Sequence, residues 1–189
     1  MNIKSIAPNK IQIGLIFFAV MSMSFLLKPD YANSTIDFKI KNAGISVTGS
    51  FKKFETSIEF NESAKAPSSI KATIQVGTID TGIEGRDKHL KKEEYFNVET
   101  YPTITFVSTK VLKTTTGSFI VEGNLTIKVV RKEIKIPFTY IDNTFQGTLS
   151  LNRRDYNVGG SSITMSDDVA IMLKVVILKS IKIFFLIYE

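Results

Sequence analysis

The chain has no cysteine and one histidine, His89, in 189 residues. Without thiols it can form neither disulfides nor thiolate metal sites, and it cannot carry the acylated cysteine of a bacterial lipoprotein. A single imidazole rules out a multi-histidine metal centre within one chain. No serine stands in a G-x-S-x-G setting, so the nucleophile elbow of a hydrolase is missing. The basic excess is also thin. The net charge is +6, and without residues 1–24, which hold Lys4 and Lys10, it is 22 basic against 18 acidic residues, or +4. That surplus is scattered over strands and turns, with no basic stripe interleaved with aromatics, so nucleic acid is not an expected partner.

What is present begins with an address. Two lysines precede an apolar run over residues 11–27, interrupted by Gln12, Gly14 and two serines. A positive segment followed by such a run is the pattern of a secretory signal peptide, and Ser22 and Ser24 supply small residues for cleavage after position 24. The expectation is a signal peptide over 1–24 and a periplasmic or secreted body. If the segment is not cleaved, the body is membrane-anchored.

From Ser34 onward the chain alternates. Ile36, Phe38 and Ile40 oppose Asp37, Lys39 and Lys41, the mark of a half-buried strand. The same period returns at 58–60, 70–76 and 104–106. It is cleanest at Phe119, Val121, Gly123, Leu125, Ile127 and Val129. Arg131 and Lys132 read as the turn into Ile134, Ile136, Phe138 and Tyr140. Two further runs follow, at Phe145 to Leu151 and Val169 to Val175. Pro137 lacks a ladder donor and marks an edge or bulge. The main interruption is residues 78–96, where Gly82 and Gly85 precede good helix formers, predicting a short helix near 86–95. The fold class is therefore all-β: about eight strands, antiparallel because long crossovers are absent. One apolar face per strand fits either a two-sheet sandwich or a closed barrel.

Several motifs, in order, carry a resemblance. Gly49-Ser50-Phe51 is one. Ile79-Asp80-Thr81-Gly82, Arg86-Asp87-Lys88-His89-Leu90 and Tyr95-Phe96-Asn97-Val98 form the densest block. Tyr101-Pro102-Thr103-Ile104-Thr105-Phe106, Gly123-Asn124-Leu125-Thr126-Ile127 and Asn152-Arg153-Arg154-Asp155-Tyr156 complete the set. From about residue 28 to 176 the chain resembles the YceI-like family, bacterial polyisoprenoid-binding proteins with a lipocalin-like barrel. The resemblance implies an extended eight-stranded antiparallel barrel over residues 25–178 enclosing a long apolar cavity. It implies as ligand an amphiphilic single-chain lipid: a polyprenyl compound, an isoprenoid quinone or a fatty-acid derivative. The sequence departs from the family at Asn33, where histidine is frequent. It departs again at Lys128-Val129-Val130, which replaces a glycine-containing turn and predicts a longer strand. The apolar tail at 179–189 has no counterpart.

The candidate cavity residues are Phe38, Ile40, Phe60, Ile74, Val76, Phe106, Phe119, Val121, Leu125, Phe138 and Tyr140. Arg86, Asp87, His89 and Arg154 are the candidate polar groups at its mouth. No catalytic residue, metal or cofactor other than the bound lipid is expected. Exposed edge positions and the tail are compatible with a homodimer. The expected function is non-catalytic binding, sequestration or transport of an isoprenoid or similar lipid. The alternatives are a lipid-modifying enzyme using His89 and an interaction module with a filled barrel.

Overall fold

The computed structural model describes residues 24–178. The tail and all of the expected signal peptide except Ser24 lie outside them. Within them the chain forms β1 (Ser24–Leu27), β2 (Pro29–Asn42), β3 (Ile45–Phe51), β4 (Phe54–Asn61), β5 (Ala66–Gln75) and β6 (Ile79–Asp80). Helix α1 (Glu84–Leu90) follows, then β7 (Thr103–Thr115), β8 (Ser118–Ile127), β9 (Val130–Ile141), β10 (Thr144–Asn152) and β11 (Met165–Ile177). All pairings are antiparallel, in the order β1-β4-β5-β7-β8-β9-β10-β11-β2-β3-β6.

The all-β, barrel-like class is as expected, but the ladder has eleven strands rather than eight. The difference comes from three breaks. Lys28 separates β1 from β2, Lys52 and Lys53 separate β3 from β4, and a 3-10 turn at Val76–Thr78 separates β5 from β6. Across each break the chain keeps its neighbour. β2 pairs with β3 and β1 with β4, while β4 pairs with β5 and β3 with β6. The eleven segments are thus eight runs, and the β11–β2 ladder joins the last to the first.

The alternation read from the sequence is what bends this sheet around a core. In β8 every second residue, Phe119, Val121, Gly123, Leu125 and Ile127, is buried. Each large apolar side chain so placed contributes roughly 1.5–3 kcal/mol. Short turns connect the runs. Asp142 and Asn143 both take positive φ, 48° and 58°, as a two-residue hairpin turn demands. The β8–β9 turn is at Lys128 and Val129, with Lys128 at φ 55°. It does not lengthen β8, and Arg131 and Lys132 belong to β9. The Lys128 ammonium bonds the carbonyl oxygens of Asn157 (2.9 Å) and Glu93 (3.4 Å), tying this turn to the neighbouring loops. The helix begins at Glu84 and ends at Leu90, shorter than the sequence suggests, and residues 91–101 continue as hydrogen-bonded turns. Leu90, Tyr95, Phe96 and Val98 pack this segment onto the core at one end of the barrel.

Candidate functional site

Inside the barrel the strands leave two adjoining chambers. One of ≈ 160 Å³ lies under the helical segment, and a second of ≈ 170 Å³ lies deeper. Phe38, Phe51, Ile104, Ile127, Leu151 and Ile171 border both and form a waist between them. Gly49 and Gly123 have a steric role. A Cβ on Gly49 would run into the Phe38 ring, and one on Gly123 would come within 2.6 Å of the Phe106 ring. Gly49 and Gly123 therefore receive neighbouring aromatic rings rather than opening space, whereas Ala72 borders the deeper chamber.

Of the candidate cavity residues, Phe38, Ile40, Ile74, Phe106, Val121, Leu125 and Phe138 line the chambers. The other four do not. Val76, 1% exposed, packs in the core at the 3-10 turn. Phe60, Phe119 and Tyr140 belong to an aromatic cluster at the end away from the helix, where Tyr140 stacks on Phe145 at 4.1 Å and meets Phe60 at 5.5 Å. Phe119 stacks on Phe138 at 5.3 Å. This cluster floors the deeper chamber. Burial raises the Tyr140 phenol above its ordinary pKa.

At the helix end Arg86 borders the upper chamber, its Nε donating to Thr81 Oγ1 and its Nη2 to Thr81 O, both at 2.8 Å. Asp87 accepts from the Thr81 amide and hydroxyl, so one threonine orients both charges. His89 stands apart from the chambers. It is half-exposed, lies 3.4 Å from Glu94 and packs edge-on against Tyr95. Arg154 points to a polar surface hollow and pairs with Asp167 at 3.6 Å.

The inward arginine is Arg153. It is 6% exposed and borders the upper chamber. Its guanidinium donates to the carbonyls of Ser166, Val158 and Gly160 and to the Asp167 carboxylate, at 2.8–3.0 Å. Asn152 accepts from the Arg154 amide and starts a 3-10 turn, in which residues three apart share a face. Arg153 and Tyr156 both turn inward for that reason. The Arg-x-x-Tyr spacing was the signal available in the sequence, and strand alternation could not supply it. Thr81, Tyr95 and Val158, which also line the upper chamber, sit on loops with no periodicity.

Two stretches of the wall lack ladder bonds. β9 pairs with β10 only as far as Phe138–Gly147, and Pro137, with no amide to donate, stands where that ladder stops. Ile134 and Ile136 on one side and Leu149 and Leu151 on the other line the chambers there. The second stretch lies between the Leu27–Ile58 and Asp37–Ser50 pairs. Among the described residues no group of three or more histidine and carboxylate side chains is placed to hold a metal, and no helix is long and apolar enough to cross a membrane.

The model of the YceI-like domain matches residues 27–177. The chain belongs to the YceI-like family. A UPF0312 protein of Yersinia enterocolitica is 29% identical over 185 residues, covering 88% of this chain and 96% of that one. Among solved structures, Burkholderia cenocepacia BcnA superposes with a TM-score of 0.74 at 27% identity, over 80% of this chain and all of BcnA. A polyisoprenoid-binding domain from Saccharophagus degradans shares the fold, with a TM-score of 0.59 at 16% identity, over 82% of this chain and 97% of that domain.

Proposed function

We propose that the protein binds and carries a single-chain lipid, such as a polyprenyl compound or isoprenoid quinone, without chemically altering it. One observation carries this reading: the interior is two adjoining chambers walled mainly by Ile, Leu, Val and Phe, and both arginines that border them, Arg86 and Arg153, lie at the helix end. Burying methylenes is worth about 0.8 kcal/mol each, so some twenty carbons contribute on the order of 16 kcal/mol gross. Ordering and association cost about 4–15 kcal/mol, which leaves room for useful affinity. The polyisoprenoid-binding description of the Saccharophagus domain supports the ligand class through shared fold. The Arg86–Thr81 pair is where a head group would be met, since the Nη1 of Arg86 has no hydrogen-bond partner among the described residues. Catalysis by His89 is disfavoured because the imidazole does not border the chambers. The signal-peptide-like N-terminal pattern supports a place of work in the periplasm or outside the cell.

The test is native mass spectrometry and organic extraction of protein purified without detergent. A co-purifying long-chain lipid in stoichiometric amount is expected. An interior that stays empty after exposure to polyprenols, quinones and fatty acids would reject the reading. His89→Ala should leave lipid binding unchanged and the bound lipid chemically intact, as in the parent protein.

A further inference from the structure

Four branched aliphatic side chains project into solvent at the helix end. Ile45 is 70% exposed, Ile83 55%, Val129 69% and Ile163 107%. Each sits on a different connection. Ile45 begins β3 beside the β2–β3 turn, Ile83 precedes α1, Val129 is in the β8–β9 turn, and Ile163 is in the loop before β11. None borders either chamber, so none is needed to line the cavity. Yet three of them flank its outer end. The Ala43 amide donates to Thr164 O at 2.8 Å, tying the β2–β3 tip to the loop of Ile163. Asp80 pairs with Ser50, which brings the approach to Ile83 alongside β3. Asn42, Val47, Thr81, Arg86 and Met165, from these same segments, form the outer rim of the upper chamber, and Asn42 is exposed.

We infer that this end of the barrel docks on a lipid bilayer, with Ile45, Ile83 and Ile163 entering the interface around the rim and Val129 meeting it further round. The inference rests on the carrier reading above. A chain that fits the chambers resides in a bilayer, and passing it through water forfeits the burial that holds it there, so the rim must meet the donor surface directly. Branched aliphatics on separate loops suit shallow insertion. Lys39 and Lys41, exposed on the outer face of β2 behind the Ile45 tip, enter none of the ion pairs among the described residues. They are free to meet anionic head groups.

The opposite end supplies the control. Ile141 is 58% exposed there, but the aromatic floor lies between it and the chambers. The experiment is flotation of the full chain with vesicles of phosphatidylethanolamine and phosphatidylglycerol, alongside lipid uptake from detergent micelles. The parent protein and Ile141→Asp should float. The combined Ile45→Asp, Ile83→Asp and Ile163→Asp variant should bind vesicles about tenfold or more weakly, while taking up micellar lipid as the parent does. Absence of flotation by the parent protein, undiminished flotation by the triple variant, or an equal loss in Ile141→Asp would overturn the inference. Failure of every form to take up micellar lipid would count instead against the carrier reading, and flotation would still decide the docking surface.

Discussion

The Tyr31 hydroxyl takes the place of a strand partner for Thr56. It accepts from the Thr56 amide at 3.1 Å and donates to the Thr56 carbonyl at 3.4 Å. Its ring meets Phe54 edge-on at 5.6 Å. This occurs where the ladder between the first two runs is interrupted, and Thr56 Oγ1 beside it is buried without a partner.

Tyr31→Phe keeps the ring contact and removes both hydrogen bonds. At this partly exposed site the loss should be about 0.5–1.5 kcal/mol. Amide exchange at Thr56 should accelerate much more than at Ile58, which remains paired with Leu27. Equal exchange rates before and after substitution would show that the hydroxyl does not hold this seam.

Arg153→Ala should be far more damaging. The guanidinium makes four hydrogen bonds within 3.0 Å, three of them to backbone carbonyls, of Val158, Gly160 and Ser166, that would be left without that donor. A loss of about 3 kcal/mol or more is expected, read as a fall in denaturation midpoint. Arg154→Ala, which gives up one 3.6 Å surface ion pair, should cost less than about 1 kcal/mol.

Filling the deeper chamber separates binding from folding. Ala72 borders it on β5, opposite Phe106 on β7. Ala72→Phe should place a ring in existing space, with a stability change inside about 2 kcal/mol, and should sharply reduce the lipid recovered by extraction. Undiminished lipid recovery with the fold intact would move the ligand out of this chamber.

Alkaline stability should depend on Tyr140. Burial raises its folded-state pKa above the ordinary 10.0. Above pH 10 the unfolded chain therefore releases a proton that the native state still holds, and stability falls as pH rises through that window. Tyr140→Phe should flatten the fall, measured as denaturation midpoint against pH from neutrality upward. Tyr156, whose pKa is raised by burial and then by Asp155, should leave a residual slope.

The inward faces of the strands were legible because period two survives wherever a run is straight. The breaks escaped notice because each resets the parity. Phe51 and Phe54 are both buried with Lys52 and Lys53 exposed between them, a double outward step that no alternating template accommodates. Val76 and Ile79, three apart across a 3-10 turn, are buried for a related reason. At the site, inward-facing strand residues could be chosen from the pattern, but which of them face open space and which fill the aromatic floor depends on ring packing across strands. Arg153 and Arg154 are adjacent in a polar stretch without periodicity, and only the 3-10 turn decides that Arg153 faces inward and Arg154 outward. Pro137 was the reverse case: a missing donor in the sequence became the end of a ladder in the structure.

The bond from the Val176 amide to Ser34 Oγ, 2.9 Å long, joins residues 142 positions apart. It belongs to the β11–β2 ladder, the one pairing that cannot form until nearly all of the chain is available; the other strand contacts are hairpins or bridge shorter spans. Loop-closure entropy makes such a long-range step slow. Until it happens, the surface that becomes the barrel interior is an open apolar sheet, the species most prone to aggregate during folding. The same cavity that suits a carrier should make refolding yield fall steeply with protein concentration. A chain lipid supplied during refolding should restore it.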